Sequence, residues 1–257
     1  MRTFLLAIAL ILFSFSAFCQ PNASFFYKIT NSEDYTIWYQ EDKNTPPVQK
    51  RIPGKYLQAD LSQKGDTVFI DFLEPLTNEE EEGVVNATDS PDLFYFTIKK
   101  KENLGQPRRT VSIPFSSADL GIFTIPFKYR FGSESLKGTL ANNLDTDLNV
   151  NFYFGRMWGK TTYSSNGNYN SLYGRVGPFF GLQRIKIRED TIGEGENYEM
   201  DSNELGLSTG VSIGLGYGKV SMGLALGIDF PVSGLGPTWA HANRIWLGVG
   251  LGYRLGG

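Results

Sequence analysis

The sequence predicts an all-β chain: an antiparallel transmembrane β-barrel of about eight strands, preceded by a small β-rich N-terminal region. Three observations carry this. From Glu204 to Gly257, apolar and non-apolar residues alternate through three strand-length runs. The non-apolar series is chiefly glycine and serine, where a soluble β-sandwich or a lipocalin-like fold, the competing architecture, sets charge on its outward face. The runs are roughly 11 to 13 residues long, enough for a tilted membrane strand of about 9 to 11.

Taken in chain order, residues 1–19 have the layout of a secretory signal peptide. Met1-Arg2 precedes the apolar run Phe4 to Phe15, and Ser16-Ala17-Phe18-Cys19 leads to cleavage before Gln20. The apolar run is too short for a membrane helix. Cys19 is the only cysteine, so no internal disulfide forms. Lipidation of Cys19 is the alternative, and the bulky Phe18 before it fits that processing poorly.

Residues 20–117 form the β-rich N-terminal region. Ser24 to Thr30, Tyr35 to Gln40, Asp66 to Leu73 and Asp92 to Lys100 read as strands, and the acidic run Glu79 to Glu82 reads as a solvated loop without the alternating oxygen ligands of a calcium site. The region could stand as a separate periplasmic domain, join the wall, or fold into the lumen; the first is expected.

Residues 118–257 form the expected barrel. Its first strand sets Phe123, Ile125, Phe127 and Tyr129 against Thr124, Pro126, Lys128 and Arg130. The second sets Leu148, Val150, Phe152, Phe154 and Trp158 against Asp147, Asn149, Asn151 and Tyr153, with Arg156 a misfit on the lipid side. The third sets Leu172, Val176, Phe180 and Leu182 against Tyr173, Arg175, Phe179 and Gln183. Three more follow, with Leu205 to Tyr217, Val220 to Phe230 and Ile245 to Leu255 as their apolar series. A period of two places each series on one face of its strand. Six strands carry clear signal; since bacterial barrels are even-numbered from eight, Asp66 to Leu73 and Asp92 to Lys100 are the candidates for the missing pair.

Barrels of this kind have short periplasmic turns and longer exterior loops. The Tyr217-Gly218-Lys219 turn is then periplasmic, Glu189 to Asn203 and Pro231 to Asn243 are exterior, and both the N-terminal region and the C-terminus lie on the periplasmic side. Thr161 to Asn170 is a long connection for that side. Phe123, Trp158, Tyr217 and Tyr253 are expected as a periplasmic-side aromatic girdle, where rings favour the wet boundary of the hydrocarbon.

From Gly121 to Leu255 the chain resembles the small outer-membrane β-barrel proteins of Gram-negative bacteria of the Bacteroidetes type. The resemblance rests on Phe123-Thr-Ile-Pro-Phe-Lys-Tyr-Arg130, Gly177-Pro-Phe-Phe-Gly-Leu182 and Trp246-Leu-Gly-Val-Gly-Leu-Gly-Tyr253, with Gln20 after the leader. It implies a bacterial outer-membrane location and is weak for activity. The terminal strand departs from the usual closing aromatic, continuing Tyr253-Arg-Leu-Gly-Gly257.

Lys128, Arg130, Arg175, Arg244 and Arg254, with Asp147, Glu204 and Asp229, fall on the lumen side. Charges in a low-dielectric interior need partners, so an ion-pair network that plugs the lumen is expected; a conduction path with a selectivity ring is the alternative. His241, the only histidine, lies near Ser233, Trp239 and Asn243, and a His–Ser pair is the minimum for lipid deacylation, but no carboxylate can be placed beside it. No metal or other cofactor is expected, because one histidine cannot build a transition-metal shell and the glycine runs are alternate strand positions. A net charge of -3, with no basic stripe beyond Lys99 to Lys101, argues against nucleic acid.

The expectation is therefore a non-enzymatic integral outer-membrane barrel, a structural or accessory subunit of an envelope assembly, with outer-membrane lipid and other envelope proteins as partners. A narrow porin or transporter for small solutes is the first alternative, and a lipid-modifying enzyme the second.

Overall fold

The structure, a computed structural model, describes residues 25–29, 35–40, 44–50, 52, 56–73, 77–78, 83–84, 93–98, 110–135, 138–140, 143–146, 149–187, 202–232 and 239–254. The expected leader with Cys19, the Glu79 to Glu82 run, Lys99 to Lys101, Asp147, Ser233 and most of the two long connections expected to be exterior lie outside these. All regular structure among the described residues is strand.

The first eight strands are β1 (Phe25–Lys28), β2 (Trp38–Gln40), β3 (Val48–Gln49), β4 (Tyr56–Lys64), β5 (Thr67–Phe72), β6 (Thr77–Asn78), β7 (Gly83–Val84) and β8 (Leu93–Thr97). Then come β9 (Thr110–Arg130), β10 (Ser133–Ser135), β11 (Gly138–Leu140), β12 (Asn143–Asp145) and β13 (Asn149–Ser164). The chain ends with β14 (Tyr169–Ile187), β15 (Ser202–Tyr217), β16 (Val220–Pro231) and β17 (Ile245–Arg254).

One antiparallel sheet contains most of these strands, and six of them pair in a cycle: β13-β14-β15-β16-β17-β9 and back to β13. Following direct partners from Lys160 through Leu172, Tyr217, Val220, Tyr253 and Ile122 returns to β13 at Phe152, eight residues from the start. A stagger of this kind is the geometric consequence of strands tilted to the axis of the ring. Eight strands were expected and six pair in the ring. The two expected additions, β5 and β8, pair with each other and with β4 and β2 instead.

The N-terminal strands continue the same sheet from β9 in the order β1, β4, β5, β8, β2, β3. Strand β9 is long enough to serve both units: its second half pairs with β17, while Phe115 and Ser116 of its first half pair with Tyr27 and Phe26 of β1. The boundary expected at 117/118 thus falls inside one continuous strand. The core of the N-terminal unit is built jointly, with Ile37, Val68, Ile70, Phe94 and Phe96 packing with Ile113, Phe115, Met157, Tyr163 and Tyr173 from the ring strands. Gln63 Nε2 donates to the Ser164 carbonyl at 2.6 Å and ties the β4–β5 hairpin to the β13–β14 hairpin.

That last hairpin corrects the long connection expected at Thr161 to Asn170. β13 and β14 run on past the ring and meet at a tight turn, with Gly167 at φ 85 and its N–H donating to the Ser164 carbonyl. The β15–β16 turn is equally short, with Gly218 at φ 61.

Side chains follow the expected alternation in β13 to β17, and β9 alone breaks it. Phe123 and Ile125 are buried inside the ring, then Phe127 and Tyr129 are exposed outside it. The two-residue step Val249–Leu251 of β17 faces the three-residue step Thr124–Phe127 of β9, a β-bulge that flips the parity of every residue before it. Pro126 lies in the bulge, and its missing N–H cannot join a ladder. Phe123 is therefore an interior residue, and it leaves the expected aromatic girdle.

Candidate functional site: the filled interior of the strand ring

The interior of the ring is stacked in layers. At the end carrying the long connections, Ile185, Ile187 and Trp239 form a small apolar cap. Beneath it Asp229, with no exposed surface, receives two cations: Lys128 Nζ at 3.2 Å and Arg130 Nη2 at 2.6 Å. Asp145 takes a second contact from Arg130 at 3.2 Å, and Ser208 Oγ donates to Asp229 at 2.9 Å. Lys128 also donates to Gln183 Oε1 and stands 4.4 Å above the Trp246 ring. Two cations and two carboxylates balance, which is the condition for holding charge in an apolar surround.

The middle layer is apolar and aromatic: Phe123, Ile125, Tyr153, Phe179, Ala225 and Trp246. Phe123 meets Phe179 edge-on at 5.1 Å, and Phe179 lies 5.9 Å from Trp246. The alternate glycines of the wall make room for these rings: a Cβ on Gly227 would overlap Trp246, and one on Gly250 would crowd Phe123. At the bulge, the Asn149 side chain bonds both backbone groups of Ile125, so the irregular strand leaves neither unpaired.

The layer toward the N-terminal unit is polar again. Asp119, fully buried, lies 3.6 Å from Arg175, whose guanidinium sits 3.9 Å over the Tyr153 ring. Arg254 reaches the same level and rests on the rings of Phe25 and Tyr173, 5.2 Å and 5.7 Å away. Below this the shared core of the N-terminal unit closes the end. A small void beside Arg175 and Ser212 measures about 10 Å³, room for a single water-sized particle.

Of the expected lumen charges, the fold brings Lys128, Arg130 and Asp229 into one cluster and Arg175 and Arg254 into another. Glu204 is only half-buried, and Arg244 is exposed because it precedes the first residue of β17. Asp147 lies outside the described residues. Sequence reasoning missed Asp119 and Asp145. Asp119 shares parity with Ser117 and Gly121 but precedes Phe123 to Tyr129, the apolar series that carries the alternation in this strand. Trp158, Tyr217 and Tyr253 do face outward, 47%, 60% and 52% exposed, at the same end of the ring.

His241 lies in the turn before β17, buried, edge-on to Trp239 at 5.8 Å, and neither ring nitrogen has a hydrogen-bond partner among the described residues. Burial, with the nearby guanidinium groups of Arg130 and Arg244 adding to it, lowers its pKa to about 4. In the N-terminal unit, burial raises the Asp60 pKa, and Asp71, directly opposite on β5, raises it further. Among the described residues, no group of three or more metal-ligating side chains is present.

No protein-family model matches the chain, and no curated protein and no solved structure matches it either.

Proposed function

We propose that the six-strand ring is an integral outer-membrane β-barrel with a filled interior, and that the chain serves as a non-enzymatic structural or accessory subunit of the bacterial cell envelope. The observation that carries this is the inversion of polarity. Ile213, Leu215, Val220, Met222 and Phe154 are 57% to 71% exposed on the outside of the ring, while Lys128, Arg130, Asp229 and Asp119 are at most 3% exposed inside it. A water-surrounded protein rarely exposes an apolar patch beyond a few hundred Å²; an acyl-chain surround removes the cost of this one.

The dimensions support the same reading. The outward apolar series of β15 runs from Leu205 to Tyr217, and 13 residues at about 3.3 Å each, tilted about 45°, cover about 30 Å. Hydrocarbon bands are about 25 to 30 Å thick. Arg156, the misfit of the outer face, stands one turn of the pleat from Trp158, and its Nε donates to Ser116 Oγ at 3.3 Å, so its charged head reaches toward the edge of the band. The turns at Gly218 and Gly167 are short and share one end, which in such barrels is periplasmic; the N-terminal unit packs at that end.

The ion pairs, aromatic layer and shared core argue against a conduction path. His241 lacks a bonded nucleophile or orienting carboxylate among the described residues, which argues against hydrolysis. The test is to fractionate cells and record single-channel current from purified protein in planar bilayers. Detergent-dependent extraction from outer membranes with no steady current is the expected result; release by carbonate without detergent, or an ion-selective current, overturns the proposal.

A further inference from the structure

On the outside of the ring, the first half of β9 lies between two strands that point the same way, since it pairs antiparallel with β13 on one side and with β1 on the other. Ser116 is the shared rung: it faces Trp158 of β13 and Phe26 of β1, both exposed on the outer face. Two residues further along each flank, the exposed Lys160 and Lys28 continue the same register at one level, with Pro114 between them. The outward residues of β9 here, Ala118, Ser116 and Pro114, are smaller than the side chains beside them. Large flanks and a small-residue floor make a groove whose walls stand about 10 Å apart, two strand spacings.

The groove changes character along its length. Toward the ring it opens at Leu120 and Phe154, direct partners 38% and 57% exposed on the apolar outer wall. Toward the N-terminal unit it is cationic. Arg156 Nε donates to Ser116 Oγ at 3.3 Å, which holds the guanidinium over the groove floor. Its terminal nitrogens make no hydrogen bond to a described residue, and neither Arg156, Lys160 nor Lys28 forms an ion pair with one. The carboxylates of the continuing sheet, Asp60 and Asp71, face each other on β4 and β5, beyond β1.

We propose that this groove holds one anionic phospholipid of the periplasmic leaflet, its phosphodiester among Arg156, Lys160 and Lys28 and its acyl chains rising past Trp158 and Phe26 to Leu120. The site rests on the outer wall being lipid-facing. A free guanidinium fork matches phosphate oxygens, and basic side chains at the foot of an apolar surface are the usual means of holding a lipid headgroup. Free phosphate would leave the apolar half of the groove unused. A zwitterionic headgroup would add a fourth cation beside three that already lack a carboxylate.

Full-length protein in phosphatidylcholine vesicles is to be studied by electron paramagnetic resonance with a trace of spin-labelled phosphatidylglycerol or spin-labelled phosphatidylcholine. A several-fold preference of the motion-restricted, protein-bound fraction for phosphatidylglycerol is expected. Arg156→Gln and Lys160→Gln, both at exposed positions, should each remove most of that preference. Arg184→Gln, which removes an outward cation at the opposite end of the ring, should leave it intact. Equal binding of the two lipids, a preference unchanged in Arg156→Gln, or an equal loss in Arg184→Gln would overturn the site and leave the lipid-facing wall standing. Absence of motion-restricted lipid of either kind would remove the wall and the site together.

Discussion

Asn149 and Ile125 exchange two hydrogen bonds inside the ring: the Asn149 Oδ1 accepts the Ile125 N–H at 2.9 Å, and its Nδ2 donates to the Ile125 carbonyl at 2.8 Å. A side-chain amide stands where the neighbouring strand's backbone would be, at the place where the β9 bulge breaks the ladder. Asn149→Leu should strand two buried backbone groups. At about 1 to 3 kcal/mol for each unsatisfied group, a loss of roughly 2 to 6 kcal/mol is expected in denaturant unfolding of the folded protein.

Asp229 should be the most sensitive member of the upper charge cluster. Replacing it with Asn leaves Lys128 and Arg130 without their fully buried counter-ion, and breaking such a pair costs about 3 to 5 kcal/mol. Asp145, whose side chain is 25% exposed, pairs with Arg130 at 3.2 Å from a partly solvated position, so Asp145→Asn should cost much less. Equal losses for the two variants, measured in the same unfolding assay, would contradict the network as described.

The inner glycines predict a compensating pair. A Cβ at Gly216 would overlap the Tyr173 ring, and its three nearest atoms all belong to that side chain. Gly216→Ala should destabilise the ring by about 1 to 3 kcal/mol through overpacking. Tyr173→Leu should recover part of that loss, so a double-mutant cycle should give a coupling of favourable sign. Simple additivity would show that the ring does not occupy the glycine's space.

His241 sets a pH dependence at the opposite end. Its ordinary pKa of 6.5 falls to about 4 in the folded turn. Between those values the unfolded chain binds a proton that the folded chain refuses, so stability falls as pH drops from about 6.5 toward 4 and is fully present above 6.5. Hydrogen exchange of residues 239–244 should therefore quicken across that window, and His241→Gln should remove the His241 part of the change. A turn equally protected at pH 4 and pH 7 would contradict the burial of this ring.

Period-two patterning made β13 to β17 legible with their correct faces, because in each strand one side chain in two meets the interior and no residue is inserted. It failed in β9 for a local reason: one inserted residue beside Pro126 reverses the faces, and alternation read backwards from Tyr129 then places Phe123 outside. The partnership of Lys128 with Asp229 was accessible as shared parity, since both are charged residues on inner faces. Asp119 escaped because it precedes the residues that carry the signal. The shared core was not legible at all, since Phe115 and Tyr163 meet β1 and β8 only through pairings between distant segments, and a pattern within one segment carries no information about its partners.

The most direct test of the central claim compares two adjacent positions in one strand. Single cysteines at Ser212 and Ile213, in a chain carrying Cys19→Ser, can be spin-labelled after folding into lipid vesicles and their collisions with oxygen and a water-soluble nickel complex measured. The label at Ile213 should collide freely with oxygen and hardly with nickel, and the label at Ser212 should be shielded from both. A label at Ile213 that meets nickel as readily as a loop position, or that is shielded from both, would contradict a lipid-facing outer wall.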